Sequence, residues 1–451
     1  MNKSITTLSK KIIAANMSVG EMKTLPASES AVVVNIKPED MAEMSDNIGS
    51  FTEESKYYHN GTPIIFQNLT ELDNKKPTVV ELFSGLGGIS IGFGMAGFQT
   101  TLGLDIHRPS IETFRKSHPT ATAILGDIRK TLKLNGDNSD SILVKTIGQR
   151  LGKRKLDVLV AGIPCQGFSM SNRKRNEFDE RNYLFYYFLE AVHSLKPKVV
   201  MLENVLGLKT LSNGKFARTM EYLLKEAGYN THHKVLNAAN FGVPQIRKRV
   251  VFIGVKEGEL IPFPIPLVGD EHTVTVKDAI RDLPPLKSGE LKIEYSNNKK
   301  EISNFAKTMI GTCQYLLNHK APKHDKSVIK KIENTKQGEP MYSKFKQRIR
   351  LAWNKPSPTQ VSGGIRPQFQ FGHPTQARGL SVRERARIQS IPDNVEIFGG
   401  VVQGRVQTGN AVPPLLAKAI GLNIKKHLEY VCSESGIAQK ISPNISLQTQ
   451  K

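Results

Sequence analysis

From Pro77 to about Gly254, short unbroken apolar runs alternate with longer stretches whose apolar residues recur every three or four positions. TVVELF (78–83), QTTLGLD (99–105), KLDVLVA (ending at Ala161), KPKVVMLEN (196–204) and RVVFIGV (249–255) read as buried strands. RNYLFYYFLEAVHSL (181–195) and FARTMEYLLKEAGY (216–229) have helical spacing. This alternation predicts an α/β fold, a mostly parallel sheet with helices on both faces. The pattern stops between about 256 and 375, a stretch rich in Lys, Pro, Gly and Asn that reads as loops with short elements. Helical spacing returns in SVRERARIQSIP (381–392) and PPLLAKAIGLNIKKHL (413–428), and the polar tail beyond Glu429 is expected to fray. Before residue 77 only VVVNI (32–36) and PIIFQNL (63–69) suggest strands, so residues 1–76 read as an appended module or arm of unknown role.

The chain has 451 residues, 39% hydrophobic and 23% charged, enough for two or three domains with a large core. Its net charge of +22 favours a polyanionic partner, most simply nucleic acid. Cys165, Cys313 and Cys432 are odd in number and far apart, which fits neither a disulfide framework nor a zinc ligand set and suits a reducing compartment. No apolar run approaches the roughly 20 residues of a membrane span, and the N-terminal residues show no convincing signal segment, so no targeting or membrane association is expected.

The candidate chemistry lies at the strand ends. Phe83-Ser84-Gly85-Leu86-Gly87-Gly88 joins the first strand to a helix, and its glycines let backbone approach a ligand closely. The strict dinucleotide fingerprint fails because Ser90 stands where the third Gly belongs, which weakens a nicotinamide oxidoreductase reading. Asp105 ends the second strand, where an acid can accept from ribose hydroxyls or cap the next helix. Asp127, between Gly126 and Ile128, could accept from an amino group or cap a turn. In GIPCQGFSM (162–170) the turn after a strand presents a thiol, Cys165. Glu203 follows a buried strand, where burial would raise its pKa toward use as a proton donor. Gln245, Arg247 and Arg249 share one face if they lie on a strand, and such a cluster could orient Glu203. In an open parallel sheet these groups collect at the carboxyl ends of the strands, along one rim.

The ordered set FSGLGG, PCQ, ENV, QIRKR, RERARIQSIPD and QTGNAVPP resembles the cytosine-C5 DNA methyltransferases. The resemblance covers about 77–254 and 376–428 and implies a Rossmann-like S-adenosyl-L-methionine-binding domain (77–255 with 376–430), a target recognition domain (256–375) and a polar tail (431–451). It implies that Phe83, Ser84, Gly85, Leu86, Gly87, Gly88, Asp105, Ile106, Asp127, Ile128, Pro164 and Asn410 bind the cofactor. Cys165 is then the nucleophile that attacks C6 of a flipped cytosine, with Glu203, Arg249, Arg247 and Gln245 completing the catalytic set. Double-stranded DNA is the expected substrate, a restriction endonuclease the expected functional partner, a monomer the expected state and the bacterial cell interior the expected location. Ile163, where Phe is commoner, and Asp105, where Glu often stands, are conservative departures. The rival readings are a tRNA cytosine methyltransferase and a non-catalytic DNA-binding homologue. The long basic insertion argues against the first, the intact Cys165, Glu203 and Gly loop against the second.

Overall fold

The computed structural model describes residues 32–35, 57–164, 184–206, 215–267, 273–295, 302–362 and 369–441. Its strands are β1 (Val32–Asn35), β2 (Ile64–Gln67), β3 (Thr78–Leu82), β4 (Gln99–Asp105), β5 (Thr122–Leu125), β6 (Val158–Gly162), β7 (Val199–Val205), β8 (Asn230–Asn237) and β9 (Lys248–Val255). They form one sheet in the order β1-β2-β5-β4-β3-β6-β7-β9-β8. The five central strands, β5 to β7, are parallel. β2 runs antiparallel to β5, and β9 antiparallel to both β7 and β8.

The apolar runs are continuous because both faces of the sheet are covered. Val80, Leu82, Leu159, Ala161, Val200 and Leu202 point into one core cluster. It is closed by α3 (Ile142–Leu151), α4 (Leu184–Leu195) and α5 (Lys215–Glu226). Val79, Val158, Val160, Val199 and Met201 alternate with them and point into the other. There they meet α1 (Gly88–Met95) and the last helix, while α2 (Arg108–Ser117) packs on β4 and β5.

Three features depart from the pattern reading. The run at 249–255 pairs antiparallel with β7, because β8, an edge strand of mostly half-exposed polar residues, turns directly into it. PIIFQNL joins the central sheet through β2, so residues before 77 share one sheet with the strands from β3 onward. The last helix runs from Pro414 to Ile441, past Glu429, where fraying was expected.

The middle of the chain contributes α6 (Val276–Ile280), α7 (Asn304–Ile310), α8 (Lys326–Glu333) and the short parallel pair β10 (Ile349–Arg350) and β11 (Phe371–Gly372). Its apolar cluster, with Val276, Leu283, Leu316, Leu351 and Phe371, is shared with Leu380 and Ile388. Ile388 ends α9 (Val382–Ile388), whose every residue is buried, and α10 (Gly400–Asn410) and α11 (Pro414–Ile441) complete the described residues. No helix among the described residues is long and apolar enough to cross a membrane.

A helix carrying three arginines is normally solvated; α9 is buried because each guanidinium is bonded. Arg383 donates to the carbonyls of Leu317 at 2.8 Å and Val395 at 2.7 Å. Arg385 donates to Thr408 Oγ1 and the Val361 carbonyl, both at 3.1 Å. Arg387 forks onto Asp393 at 2.6 Å through two nitrogens and reaches both oxygens of Asp282 at 3.2 Å. The helix start is closed by a capping box of Ser381 and Glu384, and Glu384 in turn holds Arg378 at 2.6 and 2.8 Å. Arg387→Ala strands the buried Asp282 carboxylate and leaves Asp393 only Arg383 at 3.5 Å and the Tyr295 hydroxyl at 2.8 Å, and is expected to cost about 3–5 kcal/mol, read from denaturant midpoints. A loss under about 1 kcal/mol would show that the network is not structurally important.

Candidate active site

The loop after β3 is built from left-handed backbone. Phe83, Gly85 and Gly87 have φ of 55°, 53° and 91°, and Phe83 carries the strain that a side chain adds there. Ser84 N–H donates to the Leu104 carbonyl at 2.9 Å and Gly87 N–H to the Ser84 carbonyl at 2.8 Å, which folds the turn into α1. Leu86 is buried among Val382, Ala386 and Ile391, so the loop is anchored on α9. The glycines serve two ends. A Cβ on Gly88 would lie 2.3 Å from the Val412 carbonyl oxygen, so this glycine lets the chain beyond α10 press onto the loop. A Cβ on Gly85 would meet nothing within 4 Å, so beside it there is space for a ligand to approach backbone.

Asp105 binds that loop directly. Its Oδ2 accepts from Gly85 N–H at 2.7 Å and its Oδ1 from His107 N–H at 2.8 Å. Burial pushes its carboxyl upward, against the opposing pull of the His107 amide. The following Ile106 gives its carbonyl to His59 N–H at 2.9 Å. Asp127 caps the 3-10 turn Ile128–Lys130 through Arg129 N–H at 3.0 Å and is held by the Arg129 guanidinium at 2.6 Å. Of its two sequence readings, the turn cap is the one seen among the described residues. Ile128 packs in the core with Leu132 and Ile147.

Glu203 lies within β7 rather than beyond it, paired in register with Gly162 on β6 and Val251 on β9. Its Oε1 is 2.8 Å from Arg249 Nε. Its Oε2 is 3.7 Å from where a Cβ of Gly162 would stand. The carboxyl therefore lies alongside the strand end that continues to half-buried Pro164. Cys165, next in the chain, lies outside the described residues. Burial pushes the Glu203 carboxyl upward, and the charges of Arg249 and then Arg247 pull it back.

The Gln245, Arg247, Arg249 set is corrected in one respect. Burial alternates as expected, with Ile246 and Lys248 exposed, but β9 begins only at Lys248. Gln245 and Arg247 precede it in an irregular segment and work as brackets. Arg247 donates to the carbonyls of Gln360 and Gly409, both at 2.9 Å. Gln245 donates to Gln389 and accepts from Gln360 N–H at 2.9 Å. Arg249 alone forms an ion pair with Glu203. Gly409 is needed where it stands, since a Cβ there would lie 2.3 Å from Ser362 N. Asn410 follows it, exposed at the end of α10 and two residues before Val412.

One residue escaped the sequence reading. Glu81, inside β3 and almost fully buried, accepts from Ser90 N–H at 2.9 Å and fixes the start of α1. Burial pushes it up to about 8. The signal was present: a carboxylate inside the apolar run VVELF has to meet a donor.

Comparison with known proteins adds to this geometry. Residues 77–426 match a family model described as C-5 cytosine-specific DNA methylase. The chain is 36% identical over 363 residues to the Type II methyltransferase M1.HphI of Haemophilus parahaemolyticus, covering 77% of this chain and 87% of that one. It is 32% identical over 362 residues to the Type II methyltransferase M.Sau96I of Staphylococcus aureus, covering 79% and 77%. A crystal structure assigned as a prophage-encoded DNA modification methyltransferase (E. coli) aligns with a TM-score of 0.65 at 25% identity. It covers 78% of this chain and 100% of that one.

The ion pair fixes the sign of a pH effect. Arg249→Met leaves the buried Glu203 without its main counter-charge, so its folded pKa rises further above the unfolded value. Stability is then present below the unfolded carboxylate range and is lost as pH rises through the folded pKa. The variant is expected to lose about 3–5 kcal/mol at pH 8 and distinctly less at pH 5, by denaturant titration at both. An equal loss at the two pH values would contradict this coupling.

Proposed function

The chain belongs to the C-5 cytosine-specific DNA methylase family and transfers methyl groups to C5 of cytosine in DNA; on that premise we propose a residue-level mechanism and a setting for it. The methyl donor is S-adenosyl-L-methionine, whose sulfonium supplies an electrophilic methyl. The open backbone at Gly85 and the carboxylates of Asp105 and Asp127 along one rim suit such a group. Phe83–Gly88, Asp105, Ile106, Asp127, Ile128, Pro164 and Asn410 are the residues assigned to hold it.

The observation that carries the mechanism is the buried Glu203–Arg249 pair beside Gly162, on the strand that leads to Cys165. Cytosine C6 is a poor electrophile. Protonation at N3 by Glu203 makes it a better one, and burial favours the protonated acid needed for that step. Arg249 holds the carboxyl in place and limits how far its pKa climbs. The Cys165 thiolate adds to C6, and the electron pair moves to C5, which would take the methyl as its bond to the sulfonium sulfur breaks and a neutral thioether leaves. Loss of the C5 proton to a base then expels the thiolate, N3 returns its proton to Glu203, and the aromatic ring is restored. The target carbon is inaccessible inside a duplex, so the base must turn out of the stack.

Residues 77–255 and 376–430 are proposed as the catalytic domain and 256–375 as the target recognition domain, which would read base edges while lysines and arginines neutralise phosphates. The enzyme is proposed to act as a monomer on double-stranded DNA inside a bacterial cell, as the modification partner of a restriction endonuclease. Bisulfite sequencing of plasmid from expressing cells is expected to show one protected cytosine in a fixed sequence. Cys165→Ser is expected to abolish that protection while far-UV circular dichroism stays unchanged. Protection persisting in the Ser variant would sink the nucleophile assignment.

A further inference from the structure

The family match begins at residue 77, yet the chain just before it lies across the strand ends that carry Asp105 and Asp127. At β4, Arg108 N–H donates to the Tyr57 carbonyl at 2.8 Å and His59 N–H to the Ile106 carbonyl at 2.9 Å. These bonds frame an antiparallel bridge between Tyr58 and His107. At β5, the Lys130 ammonium donates to the Asn60 carbonyl, and Gly126 lies against Pro63, where an added Cβ would come within 3.0 Å of the proline ring. The segment then enters the sheet as β2, antiparallel to β5. It is therefore fastened at the Asp105 turn by backbone bonds and at the Asp127 turn by a lysine hydrogen bond and close packing.

Tyr58 is the exposed aromatic side chain of this strap, Tyr57 being half-buried and Phe66 buried. Its ring centroid is 5.2 Å from that of His107, and 46% of the residue is exposed. His107 cannot swing away. Its ring nitrogens pair with Ser110 Oγ at 2.7 Å and Gln403 Oε1 at 3.0 Å, so it is a fixed backing. Burial, and after it the charge of Asp105, pushes the Tyr58 phenol upward, which keeps the ring neutral beside that carboxylate. A neutral, part-exposed aromatic ring, tilted 50° against a fixed imidazole and next to an acid suited to ribose hydroxyls, is a packing surface for a nucleoside.

We propose that residues 57–67 wall the nucleoside end of the cofactor site, with the Tyr58 ring as the surface against which the adenosine moiety packs. This assignment rests on the S-adenosyl-L-methionine reading above and adds a binding residue from outside the matched region. The test is isothermal titration of the full chain with S-adenosylhomocysteine, without DNA and without turnover. Tyr58→Ala is expected to weaken binding about tenfold, the worth of one aromatic packing contact. Tyr58→Phe keeps the ring and is expected to bind within about twofold of wild type. Melting of the ligand-free Ala variant at the wild-type temperature shows that the strap remains folded. Wild-type affinity in Tyr58→Ala, or an equal loss in Tyr58→Phe, overturns the role given to the ring. Absence of binding by the wild-type chain overturns the cofactor reading itself.

Discussion

Three guanidiniums on a helix with no exposed residue are tolerable only if each finds partners, and the partners of α9 come from the loop that follows it, with Asp393 and Val395, and from four stretches elsewhere in the chain. Asp282 comes from the turn after α6, Leu317 from the loop beyond α7, Val361 from the irregular segment after β10 and Thr408 from α10. Satisfying the arginines therefore sets where those stretches lie. The consequences reach the rim of the sheet. Leu86 of the Gly loop packs on α9, and the carbonyl of Val412 presses on Gly88. Arg247 ties the approach to β9 to the carbonyls of Gln360 and Gly409. A purely apolar helix could fill the same volume, but it could not select these carbonyls and carboxylates.

The Glu203–Arg249 pair applies the same logic at smaller scale. Desolvation favours a neutral carboxyl, while Arg249 favours a charged one. Burial is the larger of the two pressures, so the carboxyl lies above its usual range and takes up a proton more readily than an exposed glutamate. Its place in the register, between Gly162 and Val251, comes from backbone pairing of three strands rather than from a loop. An acid so fixed keeps its geometry while the substrate base arrives. The Gly loop is handled differently. There the carboxylate of Asp105 holds backbone amides, and the glycines leave space instead of filling it.

Much of this was legible in the sequence because both faces of the central sheet are buried. β4 appeared residue for residue as QTTLGLD, and the acid-bearing strand ends followed from it. β8 was hidden because NTHHKVLN lies at the sheet edge, where half-exposed polar residues leave no apolar run. The helix in RERARI was legible but its burial was not, since periodicity reports charge and not whether that charge is satisfied internally. Gln245 and Arg247 kept the alternating burial of a strand without being in one, because tertiary hydrogen bonds hold them in an extended segment. The motif carrying Cys165 gave the clearest functional signal in the sequence, and from Cys165 onward it lies outside the described residues.

The central claim is the site of transfer, carbon 5 of cytosine in DNA. It is tested most directly by nucleoside mass spectrometry after incubating the purified chain with S-adenosylmethionine and either duplex DNA or tRNA. The account predicts 5-methyldeoxycytidine from the DNA and unmodified tRNA. N4-methyldeoxycytidine, or 5-methylcytidine formed in the tRNA alone, would contradict it.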